Sequence, residues 1–107
     1  MKTYSIVGTG NYAPTVLAAT QPGTAVKLLR EPSNGYDQLA IMVWIDSGAA
    51  GYIHVGYIPK KQNVALAQFI DQTAEKWSPP SGVVGAAIDA KFIRSPNSSY
   101  PQVLVDQ

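Results

Sequence analysis

Residues 26–46 read VKLLREPSNGYDQLAIMVWID. An apolar run ends at Arg30 and Glu31, PSNG supplies turn chemistry, and a second apolar run begins at Ala40. Runs rich in Val, Ile, Leu and Trp, bounded by Pro, Ser, Asn and Gly, spell two strands joined by a structured turn. The second run hardly alternates with polar residues, which places its strand in the middle of a sheet, buried on both faces or nearly so.

Working outward, the same grammar repeats. TYSIVG, TAVKLLR, AIMVWID, GYIHVGYI, GAAIDAKFIR and QVLVD are short strand-like runs, separated by YAP, QPG, PSNG, DSGAAG, SPPSG and SPNSSYP. They predict five or six strands. One segment has helical period instead: in KKQNVALAQFIDQTAEKW the residues Leu66, Phe69, Ile70, Thr73 and Trp77 fall on one stripe. This helix is expected to start near Pro59 to Lys61 and to end before SPPSG, where two prolines cannot continue it. The fold class is therefore mostly β with one main helix (α+β), a small barrel or strongly curved sheet plugged by the helix. No repeat, low-complexity tract or linker divides residues 1–107, so one domain is expected.

Composition narrows the function. Eight Lys and Arg against seven Asp and Glu leave a net charge of +1, too little to coat nucleic acid through many phosphates, so any such contact must be local. There is no cysteine and a single histidine, which removes thiolate and imidazole-cluster metal sites, and the scattered acids do not suggest a carboxylate-held ion. No nucleophile elbow, zincin, Walker or paired-carboxylate spacing is present, so neither a catalyst nor a cofactor is expected. The short apolar run after Lys2 cannot serve as a signal peptide, and no window approaches a membrane span, which leads us to expect a soluble, cytoplasmic protein.

GTGNYAP, residues 8–14, imitates a dinucleotide-binding turn. Such a turn must open a crossover helix inside a βαβ unit, whereas here Pro14 is followed within a few residues by QPG. Gly8 and Gly10 read better as a loop after a strand, able to bring its backbone, Asn11 and Tyr12 close to a ligand.

The order R-E-P-x-N-x-Y-D-x-x-A-I-x-V, then VGYIP, then a helix containing ALAQFID resembles the HIRAN domain over roughly residues 4–75. The family is a module of repair ATPases that also occurs free-standing or fused in bacteria and phages. The resemblance implies an OB-like β-barrel with an accessory helix and a pocket for the 3′ end of single-stranded DNA. It further implies that Asn34, Tyr36 and Asp37 contact the terminal nucleotides, that Tyr57 lines the pocket, and that the GTGNYAP loop closes it. Gly35 stands where proline is usual and Leu39 replaces a common asparagine. At Gly10 and Asn11 the loop lacks an arginine and a tyrosine of the DNA-binding pattern.

Elementary chemistry points the same way. An ionised Asp37 accepts a hydrogen bond from a free 3′-hydroxyl and repels a 3′-phosphate. Tyr12, Tyr36 and Tyr57 offer faces for bases, while Lys60, Lys61 and the helix start can hold a phosphate. The leading expectation is a non-catalytic single-stranded DNA-binding module of replication or repair that reads free 3′-hydroxyl ends. An ATPase or nuclease acting in trans would be its partner. The alternative is a protein-interaction or oligomerisation domain. Against these stand plainer readings: Asp37 as a self-capping turn residue, Arg30 and Glu31 as a solvated pair, Lys60 and Lys61 as an exposed first turn. His54 reads as a satisfied strand residue, Trp44, Tyr52 and Trp77 as core or rim aromatics, and PNSSY as an ordinary loop.

Overall fold

The computed structural model describes residues 1–79, 81–96 and 98–107. In chain order its elements are β1 (Lys2–Ser5), α1 (Pro14–Ala19), β2 (Ala25–Arg30), β3 (Ile41–Asp46), β4 (Tyr52–Tyr57), α2 (Asn63–Thr73), β5 (Glu75–Trp77), β6 (Gly85–Ile93) and β7 (Gln102–Val105). Pro80 of SPPSG and Asn97 of PNSSY lie outside the described residues.

The quoted stretch forms the antiparallel pair β2 and β3, with Val26 opposite Ile45 and Arg30 opposite Ile41. All pairings are antiparallel, in the order β1-β7-β6-β2-β3-β4. Strand β6 is long enough for three partners: β2 takes one edge, while β5 and β7 share the other. The sheet then curls until its ends meet. Just beyond β1, the Val7 amide donates to the Tyr57 carbonyl at 2.8 Å, and the Tyr57 amide returns a bond to Val7 at 2.9 Å. The result is an OB-like half-barrel with one main helix.

Close approach at this seam is possible because residue 56 is glycine. A Cβ there would come within 2.5 Å of the Val7 carbonyl oxygen and 2.9 Å of Ile6. The pairing of β3 with β4 also slips, from Val43 opposite Gly56 to Trp44 opposite His54. That bulge lets Ile53 and Val55 face the barrel interior while Tyr57, two residues on from Val55, joins the outer face.

Inside the curl, Leu66, Ala67 and Ile70 of α2 pack on Ile6, Val26, Leu28, Val43, Val55, Phe92 and Val103. This is the core that the helical stripe and the strand runs foretell. A second cluster of Leu29, Met42, Trp44 and Ala87 lies on the outer face, rimmed by Tyr52, Tyr57 and Trp77. No described helix is long and apolar enough to cross a membrane.

Two expectations need correction. The helix stops at Thr73, where the Ala74 amide closes the last turn on Ile70, and the chain turns extended. Glu75–Trp77 instead pairs with β6 as a seventh strand, so Trp77 leaves the helical stripe and packs edge-on against Trp44 and Tyr52. The open edge of β6 supplies a backbone ladder that another helical turn would leave unused. The helix also begins later than expected, because Lys60–Gln62 makes a separate 3-10 turn after Pro59.

Gly56→Ala should therefore destabilise the fold by about 1–3 kcal/mol in urea unfolding, since backbone must shift to admit the methyl group. At Gly10, where a Cβ would meet nothing within 4 Å, the same substitution should change stability by less than about 0.5 kcal/mol.

Candidate nucleic-acid interface

Between β2 and β3 the turn 31–40 is tied down from two sides. Arg30 is buried, 7% exposed, and its guanidinium donates to the carbonyls of Gln38 at 3.1 Å and Ala40 at 3.0 Å. The same group donates to both carboxylate oxygens of Asp71 on α2, at 3.1 and 3.4 Å. Arg30 is thus a clamp between turn and helix, and the expectation of a solvated Arg30–Glu31 pair does not hold.

Glu31 points elsewhere. Its Oε1 accepts from the Asn34 amide at 2.8 Å and from the Tyr57 hydroxyl at 2.8 Å, linking the turn to β4. Asn34 in turn uses Oδ1 to accept the backbone N–H groups of Tyr36 at 2.8 Å and Asp37 at 3.1 Å. Asp37 accepts the Leu39 amide at 2.9 Å on Oδ1 and the Asn63 side-chain amide at 2.7 Å on Oδ2. The self-capping reading of Asp37 is therefore correct as far as it goes, but one oxygen also reaches the first residue of α2.

These bonds shape a cleft of about 500 Å³ whose walls include Tyr12, Asn34, Tyr36, Asp37, Tyr57 and Lys60, over a floor of Val7 and Ile58. Six of the eight residues singled out from the sequence meet there. Asn11, exposed in the 3-10 turn Thr9–Asn11, and the exposed Lys61 do not line it. Sequence reasoning missed Arg30, Glu31 and Asn63 as the supports behind the walls, because nothing in their spacing marks them as buried partners.

Electrostatics separate the side chains by role. The Leu39 amide first, then Asn63, hold the Asp37 carboxyl below its ordinary range, helped by the charges of Lys60 and Arg30 and opposed by partial burial. Burial, then the Glu31 carboxylate, push the Tyr57 phenol well above the usual range, so its hydroxyl keeps its proton. His54 sits under the loop, its ring centroid 4.2 Å from Tyr12 and 5.0 Å from Trp44. Burial lowers its pKa despite the bond of Nε2 to the Gly56 carbonyl at 2.9 Å, which makes Nε2 the protonated nitrogen. Two of the cleft's tyrosines stay open to solvent: Tyr12 is 44% exposed and Tyr36 is 98% exposed.

A model of the HIRAN domain matches residues 3–85, a span that contains every wall of the cleft. Among solved structures, the crystal structure of a protein from Lactobacillus plantarum superposes with a TM-score of 0.68. The alignment covers 97% of this chain and 88% of that one at 24% identity, a likeness of fold. No curated protein matches the chain.

Removing the clamp should cost more than removing its ion pair. Arg30→Ala, which orphans two carbonyls and a carboxylate, is expected to lower unfolding free energy by about 3 kcal/mol. Asp71→Asn, at a side chain 52% exposed, should cost at most about 1 kcal/mol in the same urea titration. The depressed Asp37 pKa fixes the sign of a pH effect: its stabilisation is complete above the unfolded-state value and is lost as pH falls through the lower folded value. An NMR titration should find Asp37 below 3.8, and Asn63→Ala should move it back upward.

Proposed function

The chain belongs to the HIRAN domain family, and from that premise we propose that its cleft holds the free 3′-hydroxyl end of single-stranded DNA. The family is one of DNA-binding domains, which supports nucleic-acid binding in general. The finer reading rests on one observation: an ionised carboxylate, two solvent-open tyrosines and a lysine share a single cleft.

In this reading the terminal hydroxyl donates to Asp37, whose oxygens each keep acceptor capacity beyond the bonds they already make. A terminal phosphate would instead bring negative charge against that carboxylate, with Lys60 as the cation on the cleft wall. Tyr36 contributes nothing to the core and offers a face for a base, worth about 1–3 kcal/mol. Lys60 positions a phosphate without reading sequence. The protein acts as a binding module of replication or repair, bringing an ATPase or nuclease in trans to the end, and performs no chemistry itself. His54 fits that role, being stacked and bonded to backbone.

Fluorescence anisotropy with short oligonucleotides differing only in a 3′-hydroxyl or 3′-phosphate tests this directly. The hydroxyl end should bind about tenfold more tightly, equivalent to about 1.4 kcal/mol. Asp37→Asn should abolish that preference, while Tyr36→Ala should weaken both ends by about 1–3 kcal/mol. If neither end binds at low salt, the DNA reading fails and a protein-interaction role takes its place.

A further inference from the structure

The turn that builds the cleft also carries the sequence Asn34-Gly35, in which no side chain shields the backbone nitrogen that follows the amide. We propose that Asn34 is a self-modification site, converted through a cyclic imide to aspartate and isoaspartate. The conversion changes the wall of the cleft.

The nucleophile is the Gly35 backbone nitrogen. Gly35 is exposed, a Cβ there would meet nothing within 4 Å, and among the described residues its N–H makes no hydrogen bond. The electrophile is the Asn34 side-chain carbonyl. Its Oδ1 accepts the amides of Tyr36 and Asp37, which turns the side chain toward the residues that follow it. These two N–H groups donate to Oδ1, the atom on which negative charge gathers during attack. Glu31 Oε1, 2.8 Å from Nδ2, holds the leaving nitrogen.

The bond from the Gly35 nitrogen to Cγ forms and the bond from Cγ to Nδ2 breaks. The proton lost by the Gly35 nitrogen departs with Nδ2 as ammonia. Water then opens the ring at either carbonyl, leaving aspartate or a backbone-lengthened isoaspartate at position 34. No redox partner is needed.

Modification removes the N–H that Glu31 accepts and sets a second carboxylate against it. The link from the turn through Glu31 to Tyr57 is then opposed by like charge. The chemistry at Asn34 stands independently of the DNA reading; its effect on strand ends rests on that reading.

The test is to hold the folded protein in warm, mildly alkaline buffer and follow the tryptic peptide Glu31–Lys60 by mass spectrometry. The same chain in denaturant and residues Asn11 and Asn63 serve as references. Asn34 should convert at least as fast in the folded protein as in the unfolded chain, and about tenfold faster than Asn11 or Asn63, a barrier difference of about 1.4 kcal/mol. Slower conversion in the folded protein overturns the proposal, because the turn would then be protecting the amide. Gly35→Pro, which lacks the N–H, should abolish conversion, and Gly35→Ala should slow it.

Aged protein separated by charge should bind hydroxyl ends about tenfold more weakly than fresh protein, whereas equally aged Gly35→Ala should retain its affinity. Full binding by the aged form overturns the effect on the cleft. Fresh protein that binds no end overturns the DNA reading alone, and the mass measurement still decides the modification.

Discussion

A guanidinium carried on the inner side of β2 must find acceptors or cost the fold several kcal/mol. Arg30 finds them in the two carbonyls at the end of the turn and in the carboxylate of Asp71. The carbonyl bonds matter more, since half-exposed Asp71 gives an ion pair worth about 0–1 kcal/mol. Fixing Gln38 and Ala40 fixes where Asp37 stands, and a second tie from Asn63 holds Asp37 to α2. Strand alternation sends the next side chain the other way. Glu31 therefore reaches Asn34 and Tyr57, so two adjacent residues serve the interior and the cleft.

Much of this was legible in the sequence where a segment had only one way to bury its apolar face. The strands at 41–46 and 52–57 carry nearly continuous apolar runs, 25–30 an apolar run broken by Lys27, and α2 a stripe that the barrel interior accepts. Trp77 was ambiguous because a large aromatic satisfies either a helical stripe or the outer face of a short strand, and only the free edge of β6 decides between them. The cleft was legible as far as its turn residues and Tyr57. Its supports were not: Arg30, Glu31 and Asn63 act through partners distant in the chain, and no local periodicity encodes such pairings. Asn11 and Lys61 neighbour true wall residues in sequence, but the 3-10 turns that hold them leave them off the cleft wall.

The bulge in β4 and the glycine at its seam act together on the aromatic side chains. By turning Tyr57 outward, the bulge sets it beside His54 and Tyr12, with ring centroids at 5.0 and 5.7 Å. Tyr12 rests on His54, which rests on Trp44 of the outer cluster. The loop after β1 is thereby anchored on the far side of the sheet from the main core. A loop that closes a cleft needs such a footing if its geometry is to persist without ligand.

The long strand β6 has a consequence for when the protein becomes competent. Every wall of the cleft lies before Lys61, yet β2 is buttressed by β6 through pairs such as Ala25 with Lys91, and β1 is held by β7 through pairs such as Lys2 with Val105. Such pairings close very long loops, which places folding in the slow regime of about milliseconds to seconds. On a ribosome the cleft residues emerge first and wait for the strands that frame them. During that interval the nearly apolar β3 segment is translated but unframed, the period in which a chaperone has most to offer it.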